Sequence, residues 1–503
     1  MTNTPYLSLK FTQLKEAKQI AEKSVPKIQK VAHYLKDRKH FAKHYLPRLV
    51  SIGPIHHDKR ELKLGEQYKL RWAKMYLERT NQDAETLYRK IASNIQQLKQ
   101  LFAEGVIGDS LDDEKLSWML LVDGCSLLQI LEKGKLDDPE NLEAKVDQLV
   151  LVWQDVLLLE NQLPYQLLKL LSCHDDDAKL LNSMNEFLKY HHLWTAKSEQ
   201  GAKKQATLLN SMNEFPKCHR LWTGKSEQGA KKQDTSNVKT NDEDSTLTEE
   251  GSASVYLKEE DTLQGEYIVE ITPPPPFHLL DYLRRTVLDP PKNHQDHKKE
   301  TRKKKKKKEK NKDEDDKMIT HKNMQELKAA GIKLKKINSR KLDDISFCSG
   351  WLRAELELPE IIVDDTTAPT FLNLIAYEMC PDFKNKYEIC SFVAFMDSLI
   401  DHPDDVKELR SAGVLQNMLG SDEEVANLFN TISSDLVHDT EMYSHVRSKI
   451  EKHYKNKWKT WLALAFHTYF SNPWAIIAFL AALVVLLLTF VQTWYTIYPA
   501  PSG

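Results

Sequence analysis

From Trp474 to Val491 the chain reads WAIIAFLAALVVLLLTFV, without a charged side chain. Twelve of these residues are Leu, Ile, Val or Phe. On insertion scales such residues together favour the bilayer by roughly 4–7 kcal/mol. About twenty residues in helix, at ~1.5 Å rise each, cross the ~30 Å hydrocarbon core. Pro473 stands at the start, where its missing N–H costs nothing. Trp474 marks one rim, and Trp494, Tyr495 and Tyr498 the other, as an aromatic belt does. Core helices of soluble domains are seldom apolar on every face for this length. One transmembrane helix is therefore predicted within 473–497, with a short tail at 498–503, and the lipid bilayer is the first expected partner.

Charge sets the expected orientation. Arg447, Lys449, Lys452, Lys455, Lys457 and Lys459 precede the span against Glu451 alone, and the final PAPSG has no charged side chain. The positive-inside rule puts the N-terminal side in the cytosol. The expected form is single-pass and tail-anchored, with plasma membrane and endomembrane equally open. The N-terminus, MTNTPYLSLKFTQLKEAKQ, lacks an apolar h-region, so no cleaved signal peptide is expected. The six Cys form no C-x-x-C pair and mostly lie in apolar runs, which fits buried free thiols in a reducing compartment. No Asn opens an N-x-S/T sequon.

The rest of the chain reads as mainly α. Gly is scarce at 16 residues, whereas sheet-rich folds and phosphate-cradling loops need more of it. Residues 66–102 show helical periodicity: Tyr68, Trp72, Met75 and Tyr76 share a face, as do Leu87, Tyr88, Ile91, Ile95, Leu98 and Phe102. The stretches 118–131 and 146–171 are apolar nearly all round and predict central helices, the second broken at Pro164. A tandem duplication follows: LLNSMNEFLKYHHLWTAKSEQGAKKQ (180–205) recurs as LLNSMNEFPKCHRLWTGKSEQGAKKQ (208–233). Two copies in a polar segment, the second carrying Pro216, point to a local duplication in a tolerant insertion, not a solenoid. Low apolarity and blocks of like charge predict disorder over roughly 196–272 and 289–322, around a short amphipathic helix at 277–288. MQELKAAG predicts a helix stopped by Gly331. Alternation of Ile332, Leu334, Leu352, Ala354, Leu356 and Leu358 predicts one or two short strands in 332–363. Further helices follow, one opened by Pro403 and ended by Gly413, one capped by Ser421 with Glu424, and a last from about Thr440 towards the membrane.

Ten strings now fall together: SIGPIHH (51–57), KLR (69–71), MLLVDGC (119–125), LLLENQLPY (157–165), HLLDYLR (278–284), AGIKLK (330–335), FLNLIAYE (371–378), FMDSLID (395–401), EVANLFN (424–430) and NPWAIIA (472–478). In this order the chain resembles the plant family called domain of unknown function 247, or uncharacterised protein family 0481. The resemblance implies a plant-specific protein, commonly ending in one membrane span. Some grass members are implicated in pollen self-incompatibility, so it also hints at recognition. It divides the chain into an extension (1–24), a first half (25–172), a variable insertion (173–276), the short helix (277–288), a Lys-rich insertion (289–322), a second half (323–470), the span and the tail.

Candidate chemistry is thin. His56, His57 and Asp58 could form a metal or acid–base cluster, but adjacent His side chains diverge and no second ligand pair lies at metal spacing. The Gly53-Pro54 turn beside them favours imidazoles bonded to backbone. Glu160-Asn161-Gln162, inside the most apolar stretch, must be hydrogen-bonded and is expected to tie helices together. Asp364-Asp365 and Asp404-Asp405 precede or open helices and are expected to cap them. No GxSxG, P-loop or GxGxxG occurs. The Lys-rich run 298–312 lacks interleaved aromatics and runs straight into DEDD, which favours a solvated or lipid-touching linker over a nucleic-acid contact. The expectation is a non-enzymatic module without cofactor or metal that binds an unknown protein partner. Two alternatives stand beside it: an enzyme using His56, His57 and a carboxylate, and a nucleic-acid binder acting through 298–312.

Overall fold

The computed structural model describes residues 5–16, 26–38, 41–135, 138–173, 176–189, 274–288, 323–337, 339, 341–350, 354–384, 386–434, 436–455 and 473–497. Both expected disordered stretches, the second copy of the duplication and the Lys-rich run lie outside them. The contacts divide the chain into Met1–Ser198 with Pro276–Gly503, and Glu199–Pro275, of which only Pro274 and Pro275 are described.

Helix α1 is Pro5–Glu16 and α2 is the short His33–Lys36. The periodic region 66–102 forms two helices, α3 (Lys63–Thr80) and α4 (Ala84–Lys99). They part where Asn81 takes a left-handed φ of 52° and Asp83 caps α4 by accepting from the Thr86 N–H. Helix α5 (Asp113–Lys133) is the centre: Leu116–Leu131 is buried at every position except Trp118. Helices α3, α4, α7 (Tyr165–Leu171) and α8 (Asp177–Lys189) pack around it. The opening of the first repeat copy thus belongs to α8, which buries Leu180, Met184, Phe187 and Leu188, with Phe187 against Trp153.

The expected helix over 146–171 differs from the one observed. Helix α6 (Val146–Asp155) stops nine residues before Pro164. Two side chains explain the early stop. Asn161 Nδ2 donates to the Asp155 carbonyl at 2.9 Å, and Gln162 Nε2 donates to those of Val156 and Leu158 at 2.8 Å each. Side-chain donors replace helical N–H groups, and the backbone is free to leave the helix.

Helix α9 (Leu279–Leu288) buries Leu279, Leu280, Leu283 and Val287. Helix α10 (Met324–Ala329) ends as expected at Gly331, with φ 77°. The strand expectation was too small. Strands β1 (Ile332–Ile337), β2 (Ser346–Ser349) and β3 (Ala354–Pro359) form a sheet in the order β1-β3-β2, parallel between β1 and β3 and antiparallel between β3 and β2. Strand β4 (Ile361–Val363) pairs in parallel with β5 (Leu415–Asn417). Among the described residues, strand β1 has a strand partner on one side only, and it carries Lys333, Lys335 and Lys336. Lys335 reaches Glu357 on β3 at 2.8 Å.

Helices α11 (Thr367–Glu378), α12 (Glu388–Leu399), α13 (Pro403–Ser411), α14 (Asp422–Ser433) and α15 (Ser444–Lys455) complete the second half. Ser421 accepts from the Glu424 N–H at 3.1 Å, and Gly413 has φ 70°. Helix α16, Pro473–Ile497, holds the stretch Ile477–Trp494, which is long and apolar enough to cross a membrane and has none of its residues buried. Of the cysteines, Cys125, Cys380 and Cys390 are buried free thiols, and Cys173 and Cys348 are exposed.

Candidate functional site

The segment between α6 and α7 carries three consecutive buried polar residues, Glu160, Asn161 and Gln162. Glu160 Oε1 accepts from the Val31 N–H at 2.8 Å and from Lys36 Nζ at 2.6 Å, and Oε2 lies 3.0 Å from His56 Nε2. Burial alone would raise the Glu160 carboxyl, but the hydrogen bonds from His56 and Lys36 and the Lys36 charge outweigh it and hold it below the usual value. Asn161 accepts from the Ile52 N–H at 2.6 Å and donates to the Val50 carbonyl at 2.9 Å. Gln162 Oε1 accepts from the Leu280 N–H at 3.0 Å, at the start of α9. The trio therefore ties the N-terminal segment, the loop and α9 together, as its polarity inside an apolar run requires.

Four further residues join this network that the sequence reading did not single out. Asp155 accepts from three successive N–H groups, Arg48 at 3.0 Å, Leu49 at 2.7 Å and Val50 at 2.9 Å. Burial still pushes its carboxyl up to about 6. Its sequence signal was present, because a lone carboxylate in VLVWQDVLLL must find donors. Asn373 crosses between the halves: it accepts from the Leu159 N–H at 2.8 Å and donates to the His44 carbonyl at 2.9 Å. Lys69 and Asp123 meet at 2.6 Å with side chains 0% and 1% exposed. Burial pulls the Lys69 ammonium down, but Asp123 and Glu66 outweigh it and hold it above the ordinary lysine value. Asp123 also accepts from the Gly53 N–H at 2.8 Å. Gly53 has φ 81°, and a Cβ there would sit 2.9 Å from the Gln162 carbonyl, so the SIGP turn and the ENQ loop approach as closely as only glycine permits.

The sequence candidates disperse. His56 points into the network towards Glu160, whereas His57 Nε2 lies 3.5 Å from Asp58, whose φ is 60°. Among the described residues, no three His, Cys, Asp or Glu side chains gather as a metal site would require. Asp364 Oδ1 accepts from the Thr366 N–H at 2.9 Å and from both Thr366 and Thr367 hydroxyls, so it closes the turn before α11, three residues ahead of the first helical residue. Asp405 accepts from the N–H groups of Asp401, His402 and Gln325, and so caps α13 and fastens α10 to it. Within α16 the anchor residues Pro473, Trp474, Val491, Trp494 and Tyr495 lie on one continuous helix.

His278 caps α9, its Nδ1 accepting from the Asp281 N–H at 3.0 Å, with its ring 4.8 Å from that of Tyr377. Burial lowers its pKa to about 4. Below pH 6.5 the unfolded chain takes a proton that the folded His278 refuses, so stability is full above 6.5 and falls as pH drops towards 4. The loss reaches up to about 3 kcal/mol. His278→Asn keeps a capping oxygen and should flatten this part of the stability–pH curve in urea titrations. An unchanged curve would show that other groups govern acid sensitivity.

A family described as plant protein of unknown function, DUF247, matches residues 28–488. The UPF0481 protein At3g47200 of Arabidopsis thaliana is 24% identical over 470 residues, covering 90% of this chain and 82% of that protein. A second Arabidopsis thaliana protein of the UPF0481 designation, At3g02645, is 26% identical over 181 residues, covering 36% of this chain and 34% of its own. No solved structure matches. The buried polar network and nearly the whole described fold lie inside the matched span, and the chain belongs to the DUF247 family of plant proteins.

Proposed function

We propose that this protein is a membrane-tethered interaction module, anchored by α16 with its helical domain in the cytosol, and that it works by binding another protein. The membrane half is supported by the uncovered apolar stretch Ile477–Trp494 and by the lysines that precede it. The observation that carries the binding half is an apolar cleft of about 230 Å³ between α3 and α5, lined by Leu70, Ala73, Leu77, Leu121 and Cys125, with Trp118 at its mouth. Trp118 is 54% exposed and Leu70 53%. A tryptophan standing open beside an apolar hollow, with Lys74 and Glu78 among the lining residues, supports a protein-binding reading of this face.

The enzyme alternative is the weaker reading. The His56 and Glu160 side chains are 3% and 0% exposed, and Glu160 Oε1 is engaged by the Val31 N–H and Lys36, which fits a structural role better than a catalytic one. Trp118→Ser in the full-length chain, expressed in plant cells with a proximity-labelling tag, should lose a discrete subset of labelled proteins while melting at nearly the wild-type temperature. The same neighbours labelled at the same intensity would refute binding through this cleft.

A further inference from the structure

Helix α15 has two unlike sides. Val446, Ile450 and His453 are buried, and the helix packs on β2. His453 is held at both ring nitrogens, Nδ1 3.0 Å from Ser349 Oγ and Nε2 3.2 Å from the Ala330 carbonyl. The outer side exposes His445, Lys449, Lys452 and Lys455, spaced four, three and three residues apart, which makes one stripe along the helix. Glu451 is the single acidic residue of α15 and lies 3.5 Å from Lys455. The inner side fixes the helix to the sheet, so the stripe moves with the domain as a rigid face.

Beyond Lys455 the sequence NKWKTWLALAFHTYFSN leads to Pro473. Lys457 and Lys459 extend the charge, and Trp458, Trp461, Phe466, Tyr469 and Phe470 are residue types that settle at headgroup depth. We propose that the stripe His445, Lys449, Lys452 and Lys455 docks on the anionic headgroups of the leaflet that the anchor enters, so that the domain rests against the bilayer in a defined orientation. The proposal rests on the membrane-anchored reading above. Three features point to lipid: the charge sign of this face, its fixed attachment to the sheet, and the aromatic-rich sequence between α15 and the span. Each lysine near an anionic surface is worth about fivefold in partitioning, and three together about a hundredfold. The effect is screened by salt over a Debye length of ~8 Å.

The test uses the full-length chain in lipid nanodiscs, made either of phosphatidylcholine alone or with phosphatidylserine. Lysine acylation is followed residue by residue by mass spectrometry. Lys449, Lys452 and Lys455 should react several-fold more slowly in the phosphatidylserine discs, and high salt should remove the protection. Lys74 on α3 and Lys90 on α4 serve as references and should react alike in both lipids. Equal rates at the three α15 lysines in the two lipids would overturn the docking and leave the anchor standing. A chain that co-elutes with neither disc would overturn the anchor, and the docking with it.

Discussion

Asp123→Ala is expected to remove about 3 kcal/mol of folding stability, which would leave a typical domain with little in hand. The carboxylate lies 2.6 Å from Lys69 Nζ, with neither side chain reaching solvent. Breaking a buried pair from one side costs about 3–5 kcal/mol, because the surviving charge stays buried without its partner. Glu66 remains 2.9 Å from Lys69 and keeps the loss at the lower end of that range. The Gly53 N–H also loses its acceptor. Urea unfolding followed by circular dichroism should show the midpoint fall with an unchanged slope. Adding Lys69→Met should restore more than half of the loss, because the stranded ammonium is then gone. A double variant no more stable than Asp123→Ala would refute the account.

Deleting residues 473–503 should move the protein from the membrane pellet to the soluble fraction in alkaline carbonate extraction. The twelve Leu, Ile, Val and Phe residues of 474–491 represent roughly 4–7 kcal/mol of insertion free energy. At 1.4 kcal/mol per factor of ten, that is about a thousandfold to a hundred-thousandfold in partitioning. The lysine stripe of α15 cannot compensate, because carbonate strips electrostatic attachment. A truncated chain that stays in the pellet would mean that another segment inserts.

How far the fold could be read from sequence depends on how local each signal is. Helix α5 was legible because an apolar run of that length admits no other reading, and Ser421 and Asp405 because caps act over three or four residues. The ENQ trio was legible because polarity inside an apolar run demands partners. Strands β4 and β5 were not, since each is three residues long and they pair across more than fifty residues of sequence. The early end of α6 was hidden because Asn161 and Gln162 reach back to carbonyls that a periodicity argument assigns to the helix. Lys69 gave no warning at all: on an amphipathic helix a lysine reads as solvent-facing, and Asp123 lies 54 residues away.

Among the described residues β1 has one strand partner, which would matter for a protein held on a surface as proposed above. Tethering replaces three-dimensional dilution with a two-dimensional crowd, so copies of one chain meet often and in similar orientations. An open strand edge in that setting is a template for sheet-to-sheet polymerisation. Lys333 is exposed on β1, Lys335 is exposed and paired with Glu357 at 2.8 Å, and Lys336 is half-exposed and paired with Glu360. A second copy approaching edge to edge would have to strip water from Lys333 and from these lysine–glutamate pairs, which disfavours the approach. Charged side chains along an open edge of this kind act as gatekeepers, and in a chain tethered as proposed above they would hold the sheets of neighbouring copies apart.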